Sequence, residues 1–88
     1  MGYRMTSIPL QEFLESAIRD NKSYGEKYQV EFTLGEVPDG IEIYADPDRM
    51  MQVMSNLMSN AAKFSPPKSK VEIYALRDGN RTRICIKD

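Results

Sequence analysis

Apolar and polar positions along this chain follow two distinct rhythms, and the switches between them predict its elements. Leu10, Phe13, Leu14, Ala17 and Ile18 recur at three- and four-residue spacing, which predicts an amphipathic helix with Pro9 in its first turn. Gly25 interrupts the polar stretch that follows. Val30, Phe32 and Leu34 then alternate with Gln29, Glu31 and Thr33, the period of a half-buried strand.

From Gly35 to Gly40, with Pro38 and Asp39 inside, the chain predicts a turn, and Ile41 and Ile43 opposite Glu42 and Tyr44 predict a second strand. The two strands read as a hairpin. A second helix is expected with Asp46 as N-cap and Pro47 at its first position, running to about Phe64 before Ser65, Pro66 and Pro67 end it. Val71, Ile73 and Ala75 alternate with Glu72, Tyr74 and Leu76. Asp78-Gly79-Asn80 then turns the chain into Thr82, Ile84 and Ile86, a second hairpin. Two helices and about four strands, each with one apolar face, predict an α+β fold: a two-layer α/β sandwich with both helices on one face of a mixed, largely antiparallel sheet.

Composition narrows the range of functions. With 88 residues, 41% hydrophobic and 28% charged, the chain suits one small domain, residues 1–88, with no second domain. A net charge of −1 argues against a surface made for nucleic acid or an anionic membrane, both of which need a basic excess. The single cysteine, Cys85, excludes an intrachain disulfide, and the absence of histidine removes imidazole bases, histidine metal ligands and any phosphohistidine on this chain. No run approaches a membrane span and no secretory signal is visible, so the expected location is cytoplasmic, within a natural polypeptide that continues on both sides and whose anchoring to a membrane elsewhere stays open.

The second helix holds the candidate chemistry. At 100° per residue from Gln52, Lys63 falls at about 20°, Asn56 at about 40° and Asn60 at about 80°, a single polar stripe. Met50, Met54, Leu57 and Ala61 cluster near the opposite side and are expected to pack inward. Carboxamide oxygens are neutral donors to a hard cation, and the lysine is a compact charge for phosphate oxygens. Neutral donors suit a magnesium–triphosphate complex, because a carboxylate beside those phosphates would add repulsion unless the metal lay between them. Spacing alone points more strongly to a solvated helix face, since any surface helix has such a stripe.

The ordered string Asp46-Pro47-Asp48-Arg49, Gln52, then Asn56-Leu57-Met58-Ser59-Asn60-Ala61-Ala62-Lys63-Phe64-Ser65-Pro66 changes that balance. It closely resembles the N-box region of sensor histidine kinases, whose superfamily also includes gyrase-like and chaperone ATPases. The likeness extends, less specifically, over nearly the whole chain as the first part of the Bergerat-type ATP-binding fold. It implies that Asn60 ligates the magnesium bridging the ATP phosphates, that Asn56 faces the same phosphates and that Lys63 contacts phosphate oxygens. Phe64 occupies a position that is often aromatic near the nucleotide, though as an apolar residue closing a helix it reads equally as core.

In gyrase-like relatives the position of Asn56 is a glutamate that activates water. An asparagine lacks that basicity, which disfavours hydrolysis and agrees with phosphoryl transfer to a protein histidine in the parent protein. The strand Ile84 to Lys87 resembles the one entering the family's Asp-x-Gly-x-Gly motif, which makes Asp88 the counterpart of the adenine-recognising aspartate. At the end of the sequence, however, that carboxylate is expected to fray beside the terminal one. The glycine-rich lid and the phosphoacceptor helices fall outside these residues, so the chain reads as a truncated, incomplete ATP-binding domain. Alone it is expected to bind ATP and Mg2+ weakly or not at all and to lack activity.

The implied partners are ATP, the parent's own dimerisation and phosphoacceptor domain, and a response regulator. Self-association through an exposed sheet edge or element exchange is also expected. The competing reading is a degenerate kinase-like module that acts in protein–protein interaction without nucleotide.

Overall fold

The computed structural model describes residues 4–87. It contains five strands and three helices: β1 (Thr6–Pro9), α1 (Leu10–Asp20), α2 (Lys22–Tyr28), β2 (Glu31–Leu34), β3 (Glu42–Ala45), α3 (Pro47–Phe64), β4 (Lys70–Asp78) and β5 (Arg81–Lys87). The strands form two sheets, a three-stranded one ordered β2-β4-β5 and a two-stranded pair of β1 with β3. The α+β class and the helical layer on one face hold. The element count and two of the strand partnerships differ from the expectation.

The core follows from the periodicities. Leu10, Phe13, Leu14 and Ala17 form the buried face of α1. They pack with Met54 and Met58 of α3 and with Ile73 and Ala75 of β4. A smaller cluster joins Val30, Ala62 and Val71. In β4 the buried Val71, Ile73 and Ala75 alternate with exposed Glu72 and Leu76 and half-buried Tyr74, so the helices cover one face of the sheet only. The shortest molecular extent, 17 Å, is that of two layers.

The first expected hairpin does not form. β2 pairs parallel with β4, Phe32 opposite Val71 and Leu34 opposite Ile73, whereas β3 pairs antiparallel with β1, Ile8 opposite Ile43. Gly35 and Glu36 stay beside β4, since Gly35 N–H donates to the Ile73 carbonyl at 2.7 Å and Ala75 N–H to that of Glu36 at 2.9 Å. The chain therefore leaves β2 along its parallel neighbour rather than turning back. Alternation reports which face a strand buries, and it is silent on the strand's partner. The second expected hairpin does form, β4 with β5, Ile73 opposite Ile86 and Asp78 opposite Arg81.

Two elements were hidden from the pattern. β1 is four residues long with a single buried side chain, Ile8, too short for a visible period. In α2 the signal was obscured by Gly25, a poor helix former. A Cβ at Gly25 would sit 2.7 Å from the Val30 carbonyl oxygen and 3.4 Å from the Phe32 ring. The glycine thus lets α2 approach β2 and does not interrupt the helix.

Candidate functional site

α3 begins as its sequence predicts. Asp46 lies outside the helix in extended conformation, and its carboxylate accepts from the backbone N–H groups of Asp48 at 3.0 Å and Arg49 at 3.3 Å, with Pro47 following at the first helical position. The same side chain also accepts from the Arg4 N–H at 3.0 Å. These hydrogen bonds, that from Arg4 foremost, hold the Asp46 carboxyl below the usual carboxylate range, with Arg49 adding an attractive charge. At its other end the helix closes at Ser65, whose hydroxyl donates to the Ala61 carbonyl at 2.6 Å. Ser65 is extended, as a residue before proline should be.

The helix is rolled relative to the sequence reading. Its buried side chains are Met54, Met58 and Ala62, whereas Leu57, expected to face inward, is 48% exposed. Met50 and Ala61 are only partly buried. On the wheel the buried centre moves from about 170° to about 240°. Leu57 therefore joins Val53 and Phe64 in an exposed apolar strip beside the polar stripe. The apolar arc of α3 is wider than the face that the core covers, and periodicity alone could not say which part would be covered.

Gln52, Asn56, Asn60 and Lys63 are all exposed on this open side. Asn56 and Asn60 stand one turn apart, about 6 Å along the axis. Neither carboxamide is tied to another described residue. Gln52 and Asn56 share a depression of about 410 Å³ with Asp48, Arg49, Met51 and Ser55, and Asn60 and Lys63 lie beyond its lining. Phe64, one of whose two readings was as core, is 78% exposed, and the Lys63 ammonium lies 5.6 Å from its ring centroid. Asp88 lies outside the described residues.

The donor set constrains what α3 could hold. No group of three or more Asp, Glu, Cys or His suited to a metal occurs among the described residues. A single neutral carboxamide such as that of Asn60 fits a magnesium ion that arrives with its phosphates and keeps them, and water, as its other ligands.

No family model matches the chain. Curated relatives do. It is 44% identical over 55 residues to the adaptive-response sensory kinase SasA of Synechococcus elongatus, covering 61% of this chain and 13% of that protein. It is 33% identical over 82 residues to the signal transduction histidine-protein kinase BaeS of Escherichia coli, covering 92% of this chain and 16% of that protein. The chain thus spans less than a fifth of either relative. Among solved structures, the catalytic domain of histidine kinase ThkA superposes with a TM-score of 0.80 at 21% identity, covering 94% of this chain and 56% of that domain, a likeness of fold. ThkA is also known in complex with the response regulator protein TrrA.

Proposed function

The chain belongs with the sensor histidine kinases and has the fold of part of their catalytic domain, and on that footing we propose that the exposed stripe of α3 holds the phosphates of Mg2+-ATP. Asn60 supplies a neutral oxygen to the magnesium, Asn56 hydrogen-bonds phosphate oxygens one turn earlier, and Lys63 neutralises their charge. The observation that supports this most is that both carboxamides and the lysine point to solvent from one helix whose other face is locked into the core. Two carboxamides without partners among the described residues, and a lysine whose ammonium lies over an exposed ring, stand on a helix held by its buried face and are pre-organised for a polyanion.

Bound magnesium would neutralise charge on the transferring phosphoryl group. The chain's residues orient the phosphates and provide no base, because an asparagine at position 56 cannot deprotonate water. The activity of the whole protein is then ATP-dependent phosphoryl transfer to a histidine supplied elsewhere, since these 88 residues contain none. By themselves they form one partial ATP-binding domain that binds nucleotide weakly and turns none over. Asp88 would meet the adenine in a longer chain. The parent would work in the cytoplasm, with its phosphoacceptor domain and a response regulator as partners. The reading as a nucleotide-free interaction module is not favoured, because the relatives are kinases.

Self-association is part of the same proposal. β5 is an edge strand of the three-stranded sheet, and its outer edge is open to pairing with a second copy.

The test is an amide NMR titration with a non-hydrolysable ATP analogue. Magnesium-dependent shifts confined to Gln52 through Phe64 and lost in Asn60→Ala are expected. The same substitution should abolish binding in a chain lengthened through the glycine motifs. Shifts that ignore both magnesium and Asn60→Ala would overturn the assignment, and a mass in solution that stays monomeric at all concentrations would remove the self-association.

A further inference from the structure

A cavity of about 560 Å³ lies between the α1–α2 junction and the starts of β2 and β4, and no residue of α3 lines it. Its floor is apolar: Val30 is buried, and Ile18 and Phe32 are half-buried. Its lining includes four cations, Arg19, Lys22, Lys68 and Lys70, against two carboxylates, Glu26 and Glu31. The net charge around the cavity is therefore positive on a chain whose overall charge is −1. Glu31 lies 3.9 Å from Lys70 in a solvent-exposed pair, whereas Lys22 and Lys68 form no ion pair with a described residue.

The backbone fixes the shape of the same cavity. Among the described residues, the two non-glycine positions with left-handed backbone are Gln29, φ 58°, and Lys68, φ 69°. Both line this cavity, and the Lys68 N–H donates to the Gln29 carbonyl at 2.6 Å. Gln29 takes this geometry as the C-cap of α2, a common way for a helix to end, and Lys68 takes it in the turn before β4. Here it locks the tail of α2 to the turn before β4 and sets Lys68 at the cavity. Gly25 keeps the α2 wall close enough to complete the cavity, for the contact reason given above.

We propose that this cavity is a binding site for a small amphiphilic anion, an apolar or aromatic body ending in a carboxylate or phosphate. The body would lie on Ile18, Val30 and Phe32, and the head group would sit between Lys22 and Lys68. The volume falls within the range of small-ligand pockets, and an apolar floor with a few convergent charges is their usual construction.

The site is tested with 4-phenylbutyrate and phenyl phosphate as probes and 4-phenylbutanol as the uncharged control, followed by amide NMR on the 88-residue chain. Saturable shifts centred on Ile18, Gly25, Gln29, Phe32 and Lys68 are expected for both anions and much weaker ones for the alcohol. The double variant Lys22→Gln, Lys68→Gly should bind the anions about five- to tenfold more weakly. Its fold is expected to survive, because glycine accepts the backbone of position 68 without strain. Asn60→Ala should leave these shifts unchanged. Equal binding of the alcohol, shifts centred on α3, or no saturation would each overturn the proposal. Co-sedimentation with phosphatidylglycerol vesicles without saturable binding of the soluble anions would do so too, assigning the patch to a lipid surface.

Discussion

The backbone N–H of Arg4 donates to Oδ2 of Asp46 at 3.0 Å across 42 residues of sequence, while Oδ1 of the same carboxylate caps α3 through Asp48 and Arg49. One side chain therefore both starts the helix that displays the candidate phosphate donors and fastens the segment leading into β1 to that start. Asp46→Ala should lower the melting temperature, and Asp46→Asn, which keeps an acceptor oxygen, should lower it less.

The same carboxylate predicts a pH dependence. Its folded pKa lies below the unfolded value, so its contribution is complete above the ordinary aspartate pKa of about 3.9 and is lost as pH falls through the lower folded value. Denaturation midpoints measured from pH 6 down to about pH 2 should fall more steeply in the wild type than in Asp46→Asn.

The roll of α3 gives a pair of substitutions with opposite outcomes. Met58 is fully buried and Leu57 is 48% exposed. Met58→Ala should cost about 2–5 kcal/mol by leaving a cavity, and Leu57→Ala about 0.5 kcal/mol or less. Urea unfolding of the two variants decides between this orientation and the one the heptad-like spacing predicts, which would make Leu57→Ala the damaging change.

Two glycines with close neighbours should respond differently to alanine. At Gly25 the new Cβ meets the Val30 backbone oxygen at 2.7 Å, whereas at Gly35 it meets only atoms of the Glu72 side chain, the nearest also at 2.7 Å. Backbone cannot move aside cheaply and an exposed glutamate can. Gly25→Ala should therefore destabilise by about 1–3 kcal/mol and Gly35→Ala by much less, as read by thermal unfolding.

On the open face of the sheet, Tyr74 stands directly opposite Cys85. The Cys85 charge and hydrogen bond, then partial burial and Glu72, raise the tyrosine pKa above its ordinary value. Cys85→Ala should bring it back down, visible as earlier phenolate absorbance in an ultraviolet pH titration. Because the folded pKa is raised, the associated stability is present below about pH 10 and is lost as pH rises through the folded value. The alanine variant should show less of that alkaline loss.

Much of this was readable from residue order. The cap at Asp46, the proline stop after Phe64, the buried face of α1 and the β4–β5 turn are local events, each written within a few neighbouring residues. The kinship with histidine kinases was legible in the string from Asp46 to Pro66 and agrees with the relatives found. α2 was missed because a glycine needed for packing looks like a helix breaker, and β1 because four residues with one buried side chain have no period.

By itself, then, the sequence determined where α1, α3, β4 and β5 lie, which residues are apolar, and that Asn56, Asn60 and Lys63 share one helix face. Those properties depend on backbone geometry and spacing of a few residues. Only the tertiary structure decided that β2 pairs with β4 and β3 with β1, and that α3 buries Met54, Met58 and Ala62 while exposing Leu57. It also brought Gln29 and Lys68 together beside a basic cavity. Strand partnership, helix roll and the meeting of distant turns depend on which surfaces bury the most apolar area together, and that is a property of the whole chain.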